Sequence, residues 1–196
     1  MANTFAPFGF RQYRGLASAP TYEQIVARVI YNAPAIYYGD PVQPDANGYV
    51  YALNSPTLQI AGVFAGCKYL SVSQKRTVWS NYWPGSDVAS SNTVEAYIIN
   101  DPNARFVVQA GGSTTPIGYA DINANIGANL GTGNANTGIS GAYIDQTTIA
   151  TTSTLPFRII GLVTDPPGSN GTDTASAYNY VIVGFNNISS KQLTGS

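Results

Sequence analysis

The chain has no histidine, a single cysteine and few ions: charged residues make up 10% of its 196 positions. Each scarcity removes a class of function. Histidine is the usual proton shuttle near neutral pH, and ionisable groups are what most active sites are built from. A serine or cysteine nucleophile here lacks its usual base, so no catalytic residue is assigned. Cys67 can form no internal disulfide and reads as a small buried apolar residue. Nine basic residues against ten acidic ones, net charge −1, are too few for nucleic acid, whose recognition sets many cations against phosphates. Lys75-Arg76, the only adjacent basic pair, reads as a solvated strand end. The longest apolar stretch, 60–67, is far shorter than the ~20 residues that cross a bilayer, so no membrane partner is expected. The start, MANTFAPFGF, lacks the basic and long apolar regions of a signal peptide. A soluble product made in the cytosol is the expectation.

What the chain has is rings and neutral polar groups. Aromatics reach 12% and apolar residues 44%, enough for a true core. With ions at less than half the usual ~25%, the surface must be largely Ser, Thr, Asn, Gly and Tyr. Neutral polar groups cost far less to desolvate than ions. Such a surface suits being covered by a partner.

Three zones follow one another. Residues 1–20 carry Phe5, Phe8, Phe10 and Tyr13 between Pro7, Gly9, Gly15 and Pro20, with neither strand nor helix period. They predict an extended N-terminal arm whose rings either dock on a partner or fold back over the chain's own core. Residues 21–196 predict a single all-β domain. Within 21–110, strands are expected at 22–31, 35–38, 49–53, 59–69, 76–82, 93–99 and 105–109. Segment 22–31 also admits a short helix, against which its β-branched content weighs. Turns separate them at Gly39-Asp40-Pro41, Asp45-Ala46-Asn47-Gly48, Asn54-Ser55-Pro56, Pro84-Gly85-Ser86-Asp87 and Asn100-Asp101-Pro102-Asn103. Residues 111–141 form a loop-rich, Gly/Asn-rich insert, with Ile122, Ala124, Ile126, Ala128 and Leu130 on one face if extended. Closing strands in 142–196 are expected near 141–144, 157–163 and 178–185, with an exposed loop at 165–171. Short antiparallel strands with regular turns imply a β-barrel or a jelly-roll-like sandwich.

No motif points to chemistry. Asp121 to Gly127 has its glycine one place late for a calcium loop, and Thr132 stands where the bidentate glutamate would be. Gly131 to Gly138 lacks the Gly-Lys-Ser/Thr ending of a phosphate loop. Hence no metal and no cofactor are assigned. A glycoside hydrolase would need an acid pair such as Glu23 and Glu95 within about 5–10 Å, and nothing in the sequence joins them. Asn170-Gly171-Thr172 and Asn187-Ile188-Ser189 match glycosylation sequons by chance. The most pronounced feature is an aromatic cluster: Tyr37-Tyr38, Tyr49, Tyr51, Tyr69, Trp79, Tyr82 and Trp83. Adjacent strand residues face opposite ways, so some rings reach the outside, where Tyr and Trp favour protein interfaces or sugar platforms.

A set of phrases runs in order along the chain: Ala6-Pro7-Phe8-Gly9-Phe10-Arg11, Tyr38-Gly39-Asp40-Pro41-Val42, Ala61-Gly62-Val63-Phe64-Ala65-Gly66-Cys67-Lys68-Tyr69, Tyr82-Trp83-Pro84-Gly85, Ala96-Tyr97-Ile98-Ile99-Asn100-Asp101-Pro102-Asn103 and Pro156-Phe157-Arg158-Ile159-Ile160-Gly161-Leu162. It resembles the cement, or decoration, proteins of tailed bacteriophages. That resemblance implies a β-barrel or jelly-roll body on the outer surface of the capsid, partnered by the major capsid protein of the head shell and by itself as a dimer or trimer. The expected interface residues are Phe5, Phe8, Phe10, Arg11, Tyr13, Arg14, Tyr37, Trp79 and Trp83. Deleting residues 1–14 is then expected to leave a folded domain that no longer holds heads. The alternative is a receptor- or carbohydrate-binding β module of a phage tail or surface appendage.

Overall fold

The computed structural model describes residues 3–13, 23–90, 92–164 and 173–191, and these are all β. Twelve strands are present among them: β1 (Arg11–Gln12), β2 (Gln24–Val29), β3 (Pro41–Pro44), β4 (Val50–Ala52), β5 (Gly62–Ser71), β6 (Arg76–Ser80), β7 (Val94–Ile99), β8 (Arg105–Gly111), β9 (Asn125–Asn129), β10 (Tyr143–Ala150), β11 (Phe157–Leu162) and β12 (Tyr180–Phe185). Two short 3-10 turns, Tyr119–Asp121 and Ser189–Lys191, complete the described elements.

Five strands close into a barrel in the order β8, β10, β9, β11, β12, with β12 pairing back onto β8. Every joint is antiparallel except β8–β10. Because β12 takes one edge of β8, β1 and β10 share the other, at Phe106–Val107 and Ala110–Gly111. Alternation fills the interior: Phe106, Val108, Ile126, Ala128, Ile144, Phe157, Ile159, Val181 and Val183 are sealed from solvent. So small a barrel has room only for side chains. Where strict alternation would expel a needed residue, a bulge resets the phase. The register of β11 against β12 slips between Ile159 and Gly161, which returns Leu162 to the core.

The second sheet runs β2, β7, β5, β3, β4, with β6 also on β5. It curls around its own core of Val29, Ile36, Val42, Phe64, Cys67, Val94 and Ile98, centred on Trp83. The Trp83 indole N–H donates to the Ala33 carbonyl at 3.2 Å, and Tyr69 meets its ring edge-on at 5.2 Å. In β5 the register slips between Phe64 and Gly66, so Phe64, Cys67 and Tyr69 all point inward. Gly66 makes the slip possible: its φ is +141°, and a Cβ there would lie 3.0 Å from the Ser80 carbonyl. Neighbouring residues join the two cores. Val63 and Ile99 enter the barrel core, while Phe64 and Ile98 enter the other.

Most expected strands are present, and the chain differs from the sequence reading in three places. Segment 39–44 runs from turn into strand β3, with Pro41 and Pro44 at its ends, where a missing N–H is tolerated. The expected insert 111–141 supplies barrel strand β9, whose Ile126 and Ala128 face the core as alternation implied. The expected strand 35–38 is reduced to isolated bridges at Ile36 and Tyr38. The expected loop 165–171 lies outside the described residues.

Candidate functional site

The arm is sewn onto its own barrel. Ala6 N–H donates to Gln109 Oε1 at 2.9 Å, and Gln109 Nε2 donates to the Thr4 and Tyr178 carbonyls at 2.8 and 3.0 Å. Asn3 Nδ2 reaches the Asp173 and Ala177 carbonyls. Gly9 N–H meets the Ala142 carbonyl, Phe10 N–H the Gly39 carbonyl and Tyr13 N–H the Arg105 carbonyl. Gln109 is inaccessible to solvent, so its amide is a buried clasp, satisfied by Thr4 and Ala6 of the N-terminal strap together with Tyr178.

This placement sorts the expected interface residues. Phe10 is core, not surface: it is 2% exposed, stacks on Phe157 at 4.5 Å and meets Phe106 edge-on at 6.2 Å. Trp83 is likewise core and cannot be a surface anchor. Phe5, 44% exposed, leans on Tyr143 and Tyr178 at 5.3 and 5.1 Å between ring centres. Phe8 meets Tyr180 edge-on at 5.3 Å, and the Arg11 guanidinium lies 5.6 Å above the Phe8 ring. Together they form an aromatic ridge on the barrel wall, edged by one cation. Tyr13 is half-buried beside it, and Arg14 lies outside the described residues. Tyr37 is half-buried elsewhere, its ring parallel to Tyr82 at 5.5 Å.

The remaining surface residue, Trp79, sits on the outer face of the second sheet and is 67% exposed. Register sets Arg28 opposite Glu95, Glu95 opposite Lys68, and Lys68 opposite Trp79, all on one face. Lys68 Nζ and Glu95 Oε2 are 2.5 Å apart, and this bond holds the lysine above its ordinary pKa. Glu23 falls one residue before Gln24, the partner of Ile99. It therefore stands about 17 Å along the ladder from Glu95, too far for a paired-acid site.

Two buried polar groups were not singled out from the sequence, Asp40 beside the start of β3 and Gln109 in β8 under the strap. Asp40 is 4% exposed and accepts from Ser140 Oγ at 2.5 Å and from Tyr37 N–H at 2.7 Å. Burial outweighs both donors and pushes its pKa up to about 6. Asp40 reads locally only as a turn residue; its burial depends on Ser140, a hundred positions away, as that of Gln109 depends on Thr4 and Ala6. Cys67 is buried, donates to the Tyr82 carbonyl at 3.3 Å, and burial pushes its thiol up to about 12. Among the described residues, no three Cys, Asp or Glu side chains converge to hold a metal, and no helix is long and apolar enough to cross a membrane. Comparison with known proteins finds no matching family model, curated relative or solved structure.

Proposed function

We propose that this chain is a virion structural protein that sits on the outer surface of a phage head shell and stabilises it by bridging major capsid subunits. The aromatic ridge carries the reading. Phe5, Phe8, Tyr143, Tyr178 and Tyr180 gather on a barrel whose interior is already full, with Arg11 above Phe8. Aromatics and arginine are what protein interfaces enrich. The ridge is pre-organised by the strap, so docking it orders no free arm and loses little entropy. Self-association into a dimer or trimer multiplies the contacts, each strengthened by the effective concentration of the others. The resemblance to phage cement proteins in the ordered phrases agrees with such a role.

The test is occupancy. Purified wild-type chain and the double variant Phe5→Ala/Arg11→Ala are added to heads of the encoding phage that lack it. Bound copies are counted by gel densitometry and particle imaging. The wild type is expected at a fixed high copy number, and the variant at least about tenfold weaker, while its melting curve stays put. Equal occupancy by both refutes the ridge as the contact. No wild-type binding at all refutes the cement role.

A further inference from the structure

We infer that the outer face of the second sheet, around Trp79, is a binding site for a neutral saccharide. The argument is independent of the head-binding role, because it rests on different strands and different side chains.

Trp79 lies on β6, where its pairing with Lys68 of β5 fixes its place on the outer face. Its side chain is largely open to water, at 67% exposure, and an exposed indole is the kind of surface on which the C–H side of a pyranose stacks. Beside it, past the last paired residues of β5 and β7, lies a cavity of about 270 Å³. Lys68, Leu70, Thr77, Asn92, Thr93 and Glu95 line it. Thr77 shares the Trp79 face of β6, two residues away, and Lys68, opposite Trp79, lines the cavity, so the indole stands next to the cavity without lining it. The volume approaches the ~300 Å³ at which small-molecule sites begin, room for one or two sugar rings.

Polarity separates a sugar from a protein partner. Protein hot spots are desolvated, largely apolar pockets, and a covering protein would strip water from the Lys68–Glu95 pair at a cost its attraction does not return. Adjacent ring hydroxyls behave otherwise, since each both donates and accepts. One hydroxyl accepts from Lys68 Nζ while its neighbour donates to Glu95, replacing the lost water bond for bond. Within the cavity lining these two charges cancel, Arg28 lying beyond Glu95 and outside it, which favours an uncharged ring. Asn92, Thr77 and Thr93 add the neutral donors and acceptors that fix orientation.

The experiment uses the full chain and its only two tryptophans. Trp83 is sealed in the core, so a change in emission on adding ligand reports Trp79. Oligomers of two to four glucose, galactose, mannose or N-acetylglucosamine units are titrated, with saturation-transfer NMR as a second readout. At least one series is expected to saturate. Trp79→Ala should weaken that binding about tenfold or more, and Glu95→Gln several-fold, with unchanged melting curves. If no series saturates, or if Trp79→Ala leaves sugar affinity intact, the inference is overturned. Loss of head occupancy in Trp79→Ala without any sugar binding assigns the face to a protein instead. Trp79-dependent sugar binding by a chain that ignores heads sustains this inference while ending the cement reading.

Discussion

Replacing Phe10 by alanine separates a structural strap from a free docking arm. The ring is 2% exposed, lies 4.5 Å from Phe157 at an interplanar angle of 21°, and touches Phe106 edge-on. Truncating a buried phenylalanine costs about 3–5 kcal/mol, through lost transfer energy and the cavity left behind. Here the upper half of that range applies, because a ring of hydrogen-bonded strands cannot collapse readily into the gap. Against a total stability of roughly 5–15 kcal/mol, the loss is large. In a chain of this size it corresponds to a fall in Tm of roughly 8–20 °C. Thermal unfolding by circular dichroism and urea titration would read it, with Phe5→Ala as an exposed control expected to shift little. A Phe10→Ala melting point within about 2 °C of wild type would refute the packing described. Deleting residues 1–14 goes further: it removes Phe10 and β1 and strips the buried Gln109 amide of its bonds to Thr4 and Ala6. The truncated chain is therefore expected to misfold or aggregate, contrary to the expectation from sequence that it stays folded.

Asp40 predicts an inverted acid response. Its folded pKa is raised from 3.8 to about 6, so between those values the folded state holds more proton than the unfolded. Stability contributed by this group is full below pH ~4 and is lost as pH rises through 6, by ~3 kcal/mol. Asp87 and Asp173, held below the carboxylate range by the Ser71 and Ser176 hydroxyls, act in the opposite sense, and only at more acid pH. Urea midpoints should fall from pH 4.5 to pH 7 in the wild type and stay flatter in Asp40→Asn; parallel profiles would remove Asp40 as the cause. Cys67, buried and with its thiol pushed up to about 12, should resist Ellman's reagent at pH 8 until urea unfolds the chain. Stoichiometric labelling of native protein within the mixing time would contradict its burial.

The strap changes how attachment to a shell would work. A disordered arm loses its freedom on docking, whereas residues 3–13 are already fixed by the barrel they cross. The same contacts that complete the core therefore also set Phe5, Phe8 and Arg11 in place. Variants in this segment need a stability control, because Phe10 and Phe5 stand five residues apart with opposite duties.

Much of the architecture was legible because it is local. Period-two runs such as Val181, Val183 and Ile126, Ala128 state which side of a strand is apolar, and Asp45-Ala46-Asn47-Gly48 closes its hairpin through Gly48 N–H to the Asp45 carbonyl as turn chemistry requires. Strand β3 was hidden by its terminal prolines, and β9 by a glycine and asparagine content that reads as loop, although Gly127 is what lets the wall approach the Pro56 carbonyl. The sequence by itself determined the all-β class, the inertness expected of Cys67 and the poverty of ions. Tertiary structure alone decided which rings are core. Trp79 and Trp83 stand four residues apart in one aromatic cluster, yet one is 67% exposed and the other sealed. Their fates diverge because β6 ends at Ser80, while Trp83 bridges to Ile36 and turns into the second core. Strand periodicity is written in neighbouring residues; register and closure depend on partners dozens of positions away, and these set burial.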